Sequence, residues 1–195
     1  MAKLLEIVQE INVQLKTDQF ADKRFQKGTF SDIAELIEKK DGDLIQTFPA
    51  EIDNEGNATK LMIDDSKAFQ LYHRHVGASF DEIETENQMG DRVFRQVTDN
   101  MLMVILADRN QIKLTKEEII TGVQLGMPLE LGKTFRDTNS LDSVEITPGT
   151  FELDRKAIWE SEFTSVIFLK PNYIVMRFSY DVTTIVKQGC ISICN

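Results

Sequence analysis

Residues 173–186, YIVMRFSYDVTTIV, alternate between apolar and polar positions along their whole length. One set reads Ile174, Met176, Phe178, Tyr180, Val182, Thr184 and Val186; the interleaved set holds Arg177, Ser179, Asp181 and Thr183. A period of two marks a strand with one buried face. Fourteen residues exceed the usual strand of roughly 5–6, so this strand is expected to cross a whole sheet or run past its edge.

A different period opens the chain. In residues 3–15, Leu4, Val8, Ile11 and Leu15 form a helical stripe that Leu5 and Ile7 widen. Residues 20–29 read as a loop or irregular strand. Residues 31–40 read as a short helix capped by Ser31, and 30–37 fit a strand nearly as well. Residues 44–52 contain Phe48-Pro49, which suggests an edge strand or a strand start. The turn signal at 53–57 predicts a hairpin between 50–52 and 59–63.

Residues 69–76, FQLYHRHV, alternate as a strand, and 77–91 read as an acidic surface loop. Residues 93–107 predict a second long strand, whose apolar run from 101 to 106 suggests burial on both faces. Residues 114–126 carry the clearest helix signals: Thr115 and Glu118 spell a capping box, and Gly126-Met127-Pro128 stops the helix. Residues 129–143 read as a loop. A hairpin is expected from 144–146 and 150–153 around Thr147-Pro148-Gly149, then a helical turn near Trp159 and a strand at 165–169. The fold class is therefore α+β: a mainly antiparallel sheet with an N-terminal amphipathic helix and a second, capped helix packed on it.

Composition narrows the function classes. An apolar fraction of 42% in 195 residues supports a real core and fits one large domain. The net charge of −10 disfavours nucleic-acid binding through a broad basic surface. It suits a passage through which DNA slides without sticking. No apolar run is long enough for a membrane helix, and the start reads as a cytosol-made N-terminus rather than a secretory signal. Cys190 and Cys194, spaced C-I-S-I-C, read as reduced cysteines in a short apolar strand, too far apart for an unstrained disulfide.

Candidate chemistry is sparse. Nucleotide-loop, dinucleotide and nucleophile-elbow motifs are missing from the sequence. His73 and His75 share a strand face, as zinc ligands sometimes do, but lack an obvious third ligand. They are the weak metal candidates and the centre of an alternative reading, a small soluble metal-dependent enzyme or ligand-binding domain. The acidic groups Asp64-Asp65, Glu117-Glu118 and Glu82/Glu84/Glu86 read as solvated charge, and 53–57 as a turn rather than a calcium loop. No catalytic residue and no cofactor is expected. Trp159 is a candidate anchor at a subunit contact or a core residue, and Tyr72, Phe178 and Tyr180 are further interface candidates.

The order of elements resembles that of the tail terminator and tail-completion proteins of tailed bacteriophages. The stretches that carry it are KLLEIVQEINVQL, FPAEI, DNMLMVILAD, LTKEEIITGVQLG and YIVMRFSYDV. The resemblance implies one tail-terminator-like domain over 1–195, with insertions at about 77–91 and 129–163. It implies a homo-oligomeric ring, hexamer or dodecamer, at the head–tail junction of a virion made in the host cytoplasm. The implied partners are adjacent connector, portal-proximal or tail proteins. DNA would pass through the lumen unrecognised, and no membrane is involved.

Overall fold

The computed structural model describes residues 2–18, 28–41, 43–52, 56–61, 66–85, 92–139, 141–163 and 171–186. Seven strands form one sheet in the order β3-β2-β1-β4-β5-β7-β6. They are β1 (Thr29–Asp41), β2 (Leu44–Ile52), β3 (Ala58–Lys60), β4 (Phe69–Thr85), β5 (Arg92–Asp108), β6 (Leu141–Glu152) and β7 (Tyr173–Val186). Neighbours run antiparallel except β1 and β4, which are parallel. The mixed α+β class with a mostly antiparallel sheet is thus observed.

Helices cover both faces. On one side, α1 (Ala2–Asp18) and α3 (Lys116–Gly126) pack on the sheet. Leu4, Ile7, Val8, Ile11 and Leu15 of α1 join Ile119 and Val123 of α3 over Leu71, Met103, Ile105, Met176, Phe178 and Tyr180. Each such side chain contributes roughly 1.5–3 kcal/mol on burial, so the α1 stripe is a principal source of stability. On the other side, α5 (Arg155–Glu162) lays Ile158 and Trp159 over Tyr72, Val104, Leu106, Tyr173 and Val175. Two short helices, α2 (Arg109–Ile112) and α4 (Lys133–Thr138), complete the set.

The local signals explain several boundaries. The Thr115 side chain accepts from the Glu118 N–H, and the Glu118 carboxylate accepts from the Thr115 N–H, closing the capping box of α3. Strand β7 buries Ile174, Met176, Phe178, Tyr180 and Val182 toward α1 and α3, as its alternation predicts. It also buries Tyr173 and Val175 on the α5 side, so its first residues are covered on both faces. Strand β5 is likewise buried on both faces at its apolar end.

Four expectations are corrected. Residues 31–40 are not a helix but part of β1, and Ser31 caps nothing there. Pairing with β2 along 34–41 and with β4 at 29–33 overrides the helical composition. Ile33 packs against the core under α1 and Ile37 against the core under α5. Residues 77–85 are not loop: they continue β4 against β5, with Ser79 opposite Thr98 and Phe80 opposite Val97. The stretch 129–143 contains α4 and the start of β6. No hairpin forms at Thr147-Pro148-Gly149; both halves pair with the same strand, β7, across an irregularity between Pro148 and Phe151. The expected 50–52/59–63 hairpin is present as β2 against β3. The expectations at 20–27, 53–55, 165–169 and Cys190/Cys194 lie outside the described residues.

Candidate functional site

Three polar or open features stand out on this scaffold. The first lies beneath α1. His73, on β4, is fully buried, with Nε2 3.0 Å from Asn12 Oδ1 and Nδ1 2.7 Å from the Tyr180 hydroxyl. The Asn12 amide nitrogen donates to the Ser31 carbonyl at 3.1 Å, which turns its oxygen toward His73. An amide oxygen only accepts, so His73 Nε2 carries the proton, and Nδ1 accepts from Tyr180. Burial lowers the His73 pKa to about 3 and raises that of Tyr180. The imidazole is therefore neutral, and both of its nitrogens are engaged within the chain.

His75 faces the same side of the sheet but meets different partners. Its Nε2 lies 2.9 Å from Asp99 Oδ1 at the surface. The two histidines are thus placed on one face, as their spacing predicts, yet they do not share a ligand. Among the described residues, no group of three or more His, Cys, Asp or Glu side chains is arranged to hold a metal ion.

The second feature is on the α5 side. Glu162 is fully buried and accepts from the Tyr72 hydroxyl at 3.0 Å and from Arg74 Nη1 at 2.7 Å. Arg177 Nη1 lies 3.7 Å from the same carboxylate; the Arg177 side chain also donates to Glu152 and to Ser161 Oγ. Two guanidinium groups thus meet two carboxylates across β4, β6, β7 and α5. Burial, and then the Glu162 charge, hold the Tyr72 hydroxyl well above its ordinary pKa. This constellation is a latch: it fastens α5 to the sheet with charge-assisted bonds.

The third feature is open to solvent. Beyond the Ile33–His73 pair, β1 leaves β4, and no other described strand pairs with that side of β4 up to Thr85. A bulge between His75 and Gly77 marks the start of this free edge. Val76 is 58% exposed and Phe80 76% exposed. Beside them a groove of about 360 Å³ runs under the N-terminal turn of α1, with Leu4, Ile7, Ala78, Phe80 and Val97 as apolar lining and Lys3 and His75 among its polar lining. A smaller notch of about 220 Å³ opens where β1 and β4 diverge, with Ile33, Glu35, Leu36, Arg74 and His75 among its lining.

The interface candidates fall into the chain's own cores. Phe178 and Tyr180 lie under α1; Tyr72 and Trp159 lie under α5, where Trp159 stacks on Phe163 at 4.3 Å. Of the acidic groups named from sequence, Glu118 serves the capping box. Neither Asn12 nor Glu162 is a site candidate from sequence, although each carries a signal. Asn12 sits four residues after Val8 on the apolar stripe, and Glu162 four after Ile158. A polar residue on a buried stripe needs a partner inside.

Compared with known proteins, the chain matches no family model and no curated protein.

Proposed function

We propose that the protein is a structural subunit of a tailed-phage virion, which assembles into a ring at the head–tail junction and joins the tail to the head connector. It acts as a tail terminator, tail-completion or neck ring component. The observation that carries this reading is the β4–β5 pair, whose two 17-residue strands run on past the residues of β4 paired with β1 and leave one edge of β4 with no partner among the described strands. A sheet edge that exposes Phe80 and Val76 is the kind of surface against which a neighbouring subunit packs. The net charge of −10 agrees with a lumen that repels the DNA backbone during passage.

Native mass spectrometry and negative-stain imaging of the purified chain test this. A closed homo-oligomer, with the same chain recovered from purified particles, is the expected result. A monomer at high concentration that never copurifies with particles would overturn it.

A further inference from the structure

We propose that the groove under the N-terminal turn of α1 binds a small uncharged phenol, whose hydroxyl donates to His75 Nδ1 and whose ring and apolar tail cover Phe80 and Val97. The proposal goes beyond the ring reading: it assigns a ligand class to a cavity for which that reading has no use.

The first observation is the polarity of the imidazole. His75 Nε2 lies 2.9 Å from Asp99 Oδ1. A carboxylate only accepts, so Nε2 carries the proton, and in the neutral ring Nδ1 is an acceptor. Nδ1 has no hydrogen-bond partner among the described residues. A hydroxyl supplies the missing donor without bringing a charge.

The second observation is the completed version of the same arrangement, two residues earlier on the same face of β4. His73 Nε2 donates to Asn12 Oδ1 at 3.0 Å, and its Nδ1 accepts from the phenolic hydroxyl of Tyr180 at 2.7 Å. The Tyr180 ring stands edge-on to the imidazole, with centroids 5.8 Å apart. The chain thus completes one imidazole of the strand with a phenol of its own and leaves the corresponding nitrogen of the other open.

The third observation is the cavity. Its volume of about 360 Å³ falls within the range of roughly 300–1,000 Å³ usual for small-molecule sites. Leu4, Ala78, Phe80 and Val97 supply apolar wall, with His75, Asp99 and Thr184 as isolated polar groups. Phe80 is exposed, so its ring is available for stacking. Among the described residues, the lining carries one ammonium, Lys3, and one carboxylate, Asp99, and the carboxylate is already engaged by His75. With one charge of each sign the groove selects neither an anion nor a cation, which favours an uncharged ligand.

Calorimetric titration of the full chain at pH 8 with para-propylphenol, and with its methyl ether para-propylanisole, tests the assignment. The phenol is expected to saturate one site per chain with a dissociation constant at or below about 1 mM. The ether keeps ring and tail but has no hydroxyl to donate, and should bind roughly 3–10-fold more weakly. His75→Phe keeps a ring in place of the imidazole and should erase the difference between the two compounds. Ala78→Trp, at an exposed position in the groove wall, fills the cavity and should abolish saturable binding of both. The comparison of the two compounds on the wild type needs no variant, and equal affinities overturn the proposal. So do the absence of saturable phenol binding up to about 5 mM, binding that Ala78→Trp leaves intact, and a phenol preference that survives His75→Phe. None of these outcomes bears on the oligomeric state by which the ring reading stands or falls.

Discussion

The Tyr180 hydroxyl donates to His73 Nδ1 across 2.7 Å in the middle of the larger core. The two residues are 107 positions apart in sequence, on β7 and β4. Between these strands lies β5, so the bond spans an intervening strand of the sheet. Asn12 closes the other side of the imidazole and thereby ties α1 to the sheet. This buried polar chain links helix to sheet. It specifies how α1 sits, because an apolar stripe alone would tolerate sliding.

The buried histidine makes stability depend on pH in a defined direction. Its folded pKa is lowered to about 3, against about 6.5 in the unfolded chain. Above pH 6.5 both states are neutral at this residue and its full contribution is present. As pH falls below 6.5 the unfolded chain takes up a proton that the folded chain refuses. Stability should then fall by ~1.4 kcal/mol per pH unit from this group, until pH approaches 3. Urea titrations at pH 7.5, 6 and 5 measure the slope, and His73→Gln should flatten it by about one proton.

Tyr180→Phe separates the hydrogen bond from the packing. The ring stays in place against Phe178, but His73 Nδ1 loses its donor. Leaving a buried acceptor unsatisfied costs about 1–3 kcal/mol. The expected result is a loss in that range at pH 7.5, read from the denaturation midpoint, with an unchanged m-value.

Glu162 holds the α5 latch. Replacing it with alanine leaves Arg74 and Arg177 facing each other, each with a side chain still 20% accessible to water. Breaking a fully buried pair costs about 3–5 kcal/mol. Water reaching the two guanidinium groups should bring the loss for Glu162→Ala nearer ~2–3 kcal/mol. Arg74→Met added to that change should recover part of it, since the uncompensated charge is removed. Equilibrium unfolding of the two variants decides the point, and no recovery would contradict the latch.

How much of this was legible from the chain depended on the range of the interaction. The capping box of α3 needs only Thr115 and Glu118, three residues apart, and is legible in the sequence. The alternation of β7 is equally local. Strand β1 fits helix and strand nearly equally from its sequence, because its Ala, Glu, Leu and Lys composition favours one and its pairing imposes the other. The outer half of β4 has the sequence of a loop because it leaves the core: Ser79 and Asp81 answer to Thr98 and Gln96 across the hairpin, not to a buried face. The His73 and Glu162 networks join residues between 15 and 107 positions apart. No local pattern encodes such partners, although the misplaced polarity of Asn12 and Glu162 on apolar stripes marks where to look.

Gly149 shows the same division and yields a sharp test. The run Thr147-Pro148-Gly149 reads as a turn, yet β6 continues through it along β7. A Cβ at Gly149 would meet the Ser179 carbonyl oxygen at 2.7 Å and would clash with Ser179 Oγ as well. The glycine is therefore required by close approach of two backbones. The Ser179 hydroxyl fills the irregularity, accepting from the Thr150 N–H at 2.9 Å. Gly149→Ala should destabilise the protein by about 1–3 kcal/mol through this overlap, and Gly149→Val by more. Ser179→Ala removes Oγ but leaves the carbonyl in place, so Gly149→Ala/Ser179→Ala should recover only part of the loss. Thermal unfolding of the three variants reads the series. Full recovery in the double variant would mean that the side chain alone, and not the backbone, demands glycine here.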